Sequence, residues 1–228
     1  MRSEQVAKFQ KQVDSAVIGY LSLLERKELL AVSIEQYQSL SSLEPEVRGG
    51  ILAIQDTLYA SLMVELHAWL FDKSPNSSNL SLYGLLEKLA DDKTNLKHLK
   101  RYYVAPPKTI DIGETDKSWH QSFKTDREAK FDAHFQDCIF LIKGLLVSEE
   151  AKKIAPLRDK ALAHKDGRYD IKANNHTVGD VFYLINNMKL ILLNLIGLMT
   201  RTKYPVYEAE TKAKLMAQKF WEHVARTK

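Results

Sequence analysis

From Val178 to Met199 the chain runs through a long, mostly apolar stretch at helical spacing, and this stretch limits the fold more than any other. Asp180, Asn186, Asn187, Lys189 and Asn194 interrupt it too often for a lone membrane span. Its apolar residues are nevertheless too many for one stripe of a surface helix. Such a helix needs neighbours on most sides, so it reads as the buried helix of a soluble helical bundle. Thr177-Val-Gly-Asp180 has capping-box spacing and opens it. It ends near Arg201, and Pro205 divides it from a basic C-terminal helix near 207–226.

The remainder also reads as helix. Only 9 glycines and 6 prolines punctuate 228 residues, and no segment alternates apolar with polar residues for long. The expectation is an all-α bundle of long antiparallel helices in one domain over 1–228. A first helical region runs from Ser3 to Leu43, with room for one break. Glu44-Pro45-Glu46 opens a second helix, with proline in its first turn and acids at its positive end. That helix extends to Phe71 with Ile51, Ile54, Leu58, Leu62, Leu66 and Leu70 as its core stripe. Asp72 to Asn79 is a dense turn signal, and Leu80 to Leu89 resumes the helical pattern. Prolines and glycine near 104–122 predict an exposed loop or insertion. A helix from Asp126 to Val147 follows, with Phe131, Phe135, Ile139 and Ile142 at helical spacing. Ser148-Glu-Glu150 starts the next, and Pro156 kinks or restarts it.

Composition excludes more than it identifies. A hydrophobic fraction of 45% with 27% charged residues is ordinary for a soluble globular chain, and a net charge of +4 demands no polyanionic partner. Residues 212–228 alone carry an excess equal to that whole charge, as a solvated basic face or a nucleic-acid contact. A single cysteine, Cys138, excludes an internal disulfide. With no apolar leader after Met1, it points to a reducing cytoplasm and no membrane association. Cys138 sits between apolar neighbours and reads as a buried thiol, and Met63 and Met188 read as core. The seven histidines form neither His-Glu-x-x-His nor a close Cys/His cluster, and there is no phosphate-binding glycine loop. No metal or cofactor is expected.

Chemistry concentrates in Arg158-Asp-Lys-Ala-Leu-Ala-His164. An arginine offers phosphate oxygens a fixed fork of donors, and a histidine takes or gives a proton near neutral pH without a metal. Gly167 is a plausible helix stop just beyond, so the helix dipole favours the protonated imidazole. On one straight helix the two residues stand ~9 Å and ~120° apart, too far for one compact site. Two copies about a two-fold axis could instead converge on one cleft, and Ala161 and Ala163 are small enough to allow such close approach. Lys160, four residues before His164, either adds a phosphate contact or points into water. The bland alternative makes Arg158 and Asp159 surface ion-pair partners and His164 a helix cap.

This motif resembles the signature of the HEPN superfamily: arginine, a polar residue, a short spacer and histidine. Leu157, Ala163 and Lys165-Asp166 around it resemble the abortive-infection-associated branch. So do Leu70-Phe71-Asp72, Leu80-Ser-Leu-Tyr83 and Leu85-Leu86. The resemblance spans roughly 56 to 201. It implies a HEPN-like helical bundle, a two-fold homodimer and a metal-independent endoribonuclease of prokaryotic defence or a toxin component. Such an enzyme has RNA as substrate and a cognate antitoxin protein as partner. His164 is then general base or acid, Arg158 the phosphate ligand, and Asp159, where asparagine is common, an orienting group. The resemblance further implies an acid from an earlier helix, for which Asp56, Glu65 and Asp72 are candidates.

Outside the motif, Lys97-His-Leu-Lys-Arg-Tyr-Tyr103 mixes cations with aromatics. Lys97 and Arg101 there suit phosphates and stacked bases, or simply a helix end. Asp180, Asn187, Asn194 and Arg201 make a polar seam every seven residues, facing solvent, a neighbouring helix or the motif cleft. Two further readings stay open. One is a non-catalytic HEPN-like module binding RNA, a nucleotide or a protein; the other is a structural helical dimer.

Overall fold

The computed structural model describes residues 4–36, 39–40, 43–72, 81–91, 93–105, 117–156, 176–199 and 205–226. They form eight α-helices and, among the described residues, no strand. These are α1 (Glu4–Glu35), α2 (Pro45–Phe71), α3 (Leu82–Asp91), α4 (Lys93–Val104), α5 (Lys117–Leu146), α6 (Glu149–Ile154), α7 (Val178–Met199) and α8 (Val206–Arg226). The all-α expectation holds.

The apolar stretch occupies the centre, as its composition requires: α7 packs against α1, α2, α4, α5 and α6. Val181, Leu184, Ile185, Met188, Ile191, Leu192, Leu195 and Ile196 are all buried on it. By length and composition α7 is also long and apolar enough to cross a membrane, and half of that window is buried inside the bundle. The seam splits between tasks. Asp180 is buried and ion-paired, whereas Asn187 and Asn194 donate back to the carbonyls of Tyr183 and Leu190 one turn earlier. Asn194 also meets His134 of α5 at 3.4 Å. Arg201 lies outside the described residues.

α2 runs antiparallel to α1, held at several levels. Arg26 of α1 bonds Glu65 and Ser61, Ser33 accepts from Gln55 at 3.0 Å, and Gly19 faces the Trp69 indole. A Cβ at Gly19 would stand 3.1 Å from that ring, so the close approach depends on glycine. Most of the expected α2 stripe is in the core: Ile51, Leu62, Leu66 and Leu70 are buried and Leu58 is half-buried. Ile54 is a correction. It is 42% exposed, because the first half of α2 touches the bundle along one narrow line only, and Ile51 takes that line.

The expected loop near 104–122 overlaps helix at both of its ends. α4 continues to Val104 and α5 already begins at Lys117, so its last residues belong to a helix. Residues 106–116 lie outside the described residues. Phe131, Phe135 and Ile142 are buried on α5 as their spacing requires, and Ile139 is half-buried. Met63 and Met188 are core, and burial pushes the Cys138 thiol up to about 12.

α8 lies along α1, and together they close one end of the bundle with a second, smaller core. Val32, Leu40, Ile51, Ala217 and Trp221 form it. The Trp221 indole is fully buried and donates from Nε1 to the Leu29 carbonyl at 2.8 Å. Truncating it empties the largest side-chain volume of this cluster. We expect Trp221→Ala to lower unfolding free energy by about 3–5 kcal/mol in a denaturant titration.

Candidate functional site

Residues 157–175, including Arg158, Asp159, Lys160, His164 and Gly167, lie outside the described residues. The structure does describe the two ends from which that segment departs and returns. α6 starts on the Ser148 cap, whose hydroxyl accepts from the Ala151 N–H, and it stops at Ile154 before Pro156. On the departing side, the Ala155 carbonyl meets Nε2 of His67, a buried residue of α2, at 2.9 Å. On the returning side, the His176 ring stacks on Tyr59, also of α2, with centroids 6.0 Å apart and planes 7° from parallel. Both ends of the motif segment are therefore held on one helix.

A third contact joins the ends to each other. Lys153 of α6 donates to Oδ1 of Asp180 at 2.9 Å. Oδ2 of the same carboxylate accepts from the Thr177 N–H at 2.6 Å and its hydroxyl at 2.9 Å, while the Asp180 N–H donates back to Thr177 Oγ1. This is the reciprocal capping box that the sequence announces, with aspartate in place of the longer acid. Burial pulls the Asp180 carboxyl upward, but the Lys153 bond, the Thr177 bonds and the Lys153 charge together hold it below the usual carboxylate range. Burial, helped by the negative Asp180, pushes the neighbouring Tyr59 phenol up to about 12, so Tyr59 stays neutral.

Helical geometry separates the three candidate acids. With ~100° per residue, Asp56 falls within ~60° of Tyr59, Met63 and His67, on the face that holds the segment ends. Glu65 and Asp72 fall ~180° and ~160° from Asp56. Glu65 is engaged by Arg26, which supplies the pairing its half-buried position needs. Asp72 caps the end of α2, where its N–H donates to the Ala68 carbonyl and its own carbonyl accepts from Ser81. The latter two share a separate small hollow with Gly19 and Trp69. Asp56 is exposed, and Gly49, Leu52, Ala53 and Ala60 on its face are exposed with it.

Lys97 and Arg101, expected on a cationic patch, do share a groove. It lies between α4 and α5, so its walls belong to different helices from those that hold the motif segment. Among the described residues no group of three His, Cys, Asp or Glu converges as metal ligands would.

A HEPN family model described as AbiU2 matches residues 7–220. The chain belongs to the AbiU2 family of HEPN proteins. No curated protein and no solved structure matches it. The AbiU2 match is an abortive-infection family, which makes the chain a HEPN module of that kind. It takes in the motif, both held ends and the α4–α5 groove, and it agrees with the resemblance carried by the motif. Tyr59, His67 and His176 are what sequence reasoning missed. Each reads as an ordinary helix or loop residue until the fold sets Tyr59 against His176 and His67 against the Ala155 carbonyl.

Asp180 ties stability to pH. Its carboxyl lies lower in the folded chain than the ordinary 3.8, so its contribution is fully present above that value and is lost as pH falls through the lowered one. Asp180→Asn should lower Tm at pH 7 by roughly 2–4 °C, the equivalent of about 1 kcal/mol for a lost cap. The gap between the two melting curves should close below pH 3.8.

Proposed function

We propose that this protein is a metal-independent endoribonuclease of prokaryotic defence, built as a two-fold homodimer acting in the cytoplasm. The carrying observation is the AbiU2 match across 7–220 together with the Arg158-to-His164 motif inside it. In the reaction, the 2′-hydroxyl of RNA loses its proton and its oxygen attacks the adjacent phosphorus. The bond from phosphorus to the 5′-oxygen breaks, and that oxygen takes a proton. The products are a 2′,3′-cyclic phosphate and a 5′-hydroxyl. His164 serves as general base or acid, Arg158 holds the phosphate and offsets charge growing on its oxygens, and Asp159 orients them. Lys160 adds a phosphate contact.

The chain forms a single domain in this reading, and a cognate antitoxin protein is its expected regulator. Support for the dimer comes from the separation of Arg158 and His164 on a straight helix, ~9 Å and ~120°. It also comes from the exposed face of α2 around Asp56, where Leu52 is 47% exposed beside Gly49, Ala53 and Ala60. In this reading a second copy sits on that face, which is also the side of α2 that holds both ends of the motif segment. Asp56 is then the acid best placed to join the composite site.

Incubation with transfer and messenger RNA in EDTA tests the catalytic assignment. Wild type should cleave and leave cyclic phosphate ends, while His164→Ala and Arg158→Ala should each be slower by about 100-fold or more. Equal cleavage by all three would overturn it. Leu52→Glu should sediment as a monomer with unchanged helicity and should lose cleavage.

The runner-up is an RNA-binding HEPN module without catalysis, favoured by the cationic groove containing Lys97 and Arg101. It predicts RNA binding with no cleavage by any of these proteins.

A further inference from the structure

The α4–α5 groove encloses about 640 Å³. Lys97 and Arg101 stand on its α4 wall one turn apart, ~6 Å along the helix, and Lys124 faces them from α5. All three are exposed, and none makes an ion pair among the described residues. Lys100 also lines the groove, but Asp132 neutralises it through contacts of 2.8 and 2.6 Å. Glu128 is the one acid among the described lining residues, so the three cations outnumber it.

Between these charges the lining is apolar, formed by Val104, Ala105 and the half-buried Phe123 ring. The walls are fixed from beneath. Arg127 of α5 lies 4.0 Å over the Tyr103 ring and donates to the Tyr103 carbonyl at 3.2 Å, locking the end of α4 against α5. Surface lysines that merely keep a protein soluble do not need an aromatic floor. Here cations a helical turn apart border the half-buried Phe123 ring, which Arg127 also approaches to 5.8 Å, and this suits a ligand whose anionic groups alternate with flat apolar ones.

The geometry points to a binding site for single-stranded RNA in this groove, separate from the motif. Phosphates lie along Lys97, Arg101 and Lys124, and a base stacks on Phe123. An acidic peptide matches the charges but brings no flat group to the Phe123 ring beside them. The inference rests on the RNA reading given above and extends it: the groove grips the strand at a place other than the one where it is cut.

The test uses the full chain and a fluorescein-labelled 12-nucleotide RNA with every 2′-hydroxyl methylated, which removes the attacking group and so keeps binding apart from cleavage. Anisotropy is followed over a salt series. The double variant Lys97→Glu, Arg101→Glu should bind at least tenfold more weakly. It should also flatten the dependence of log affinity on log salt by about 1.4, since each lost phosphate contact removes about 0.7. Phe123→Leu should weaken binding by about tenfold with little change in that slope. Circular dichroism confirms that each variant keeps its helices.

Unchanged RNA affinity in both variants would overturn the groove while leaving RNA as the ligand. Absence of binding by wild type would overturn it too, and cleavage of unmodified RNA would then decide the catalytic reading separately. A polyglutamate peptide that binds as tightly as the RNA, with no loss in Phe123→Leu, would assign the groove to an acidic protein instead.

Discussion

The pairing of Lys153 with Asp180 is the contact on which the candidate site depends. It ties the end of α6 to the start of α7 across the span that carries the motif. The carboxylate does two jobs with its two oxygens, one for the ammonium and one for the orphan donors of a helix start. An ion pair on an open surface contributes little, but this acid is buried and hydrogen-bonded as well as paired. The points where the chain leaves α6 and enters α7 are thus fixed to each other. Tyr59 and His67 set those points against α2, two helical turns apart on one side of it.

α2 carries different obligations on its two faces. One face is occupied by structure: Arg26, Ser33 and Gly19 of α1 engage Glu65, Gln55 and Trp69. The other holds the ends of the motif segment and then, toward its start, is exposed at Gly49, Leu52, Ala53 and Asp56. Glu65 and Asp56 have similar chemistry and sit on the same helix. Their roles differ because ~180° of rotation puts one beside a guanidinium and the other in water.

Much of the fold was legible because helices announce themselves in periodicity and punctuation. The central helix followed from its apolar content, its start from Thr177 and Asp180, the α2 start from Pro45, and the α6 start from Ser148. Where the reading slipped, the missing information was tertiary. Ile54 continues a regular apolar stripe, yet no element comes to cover it. The start of α5 was hidden because its first turns lack the apolar spacing that marks Phe131 to Ile142. For the site, the motif itself stands in the sequence, and so does the charge of Lys97 and Arg101. That Lys124 faces them from another helix, or that His67 and His176 meet the two ends of one segment, depends on contacts far apart in the chain. Periodicity carries no trace of those.

The packing of α8 along α1 has a consequence for how the molecule comes into being. Leu29 and Trp221 are neighbours in space although nearly the whole chain separates them, so the smaller core closes a very long loop. Such contacts slow folding, since the entropy of closure is lost before the contacts repay it. During synthesis α1 is made before the motif, and its flank around Val32 is covered only by a helix made after it. A chain still under synthesis therefore already contains the motif while its bundle is open at one end. The smaller core is thus completed by a helix made after the segment that bears the chemistry.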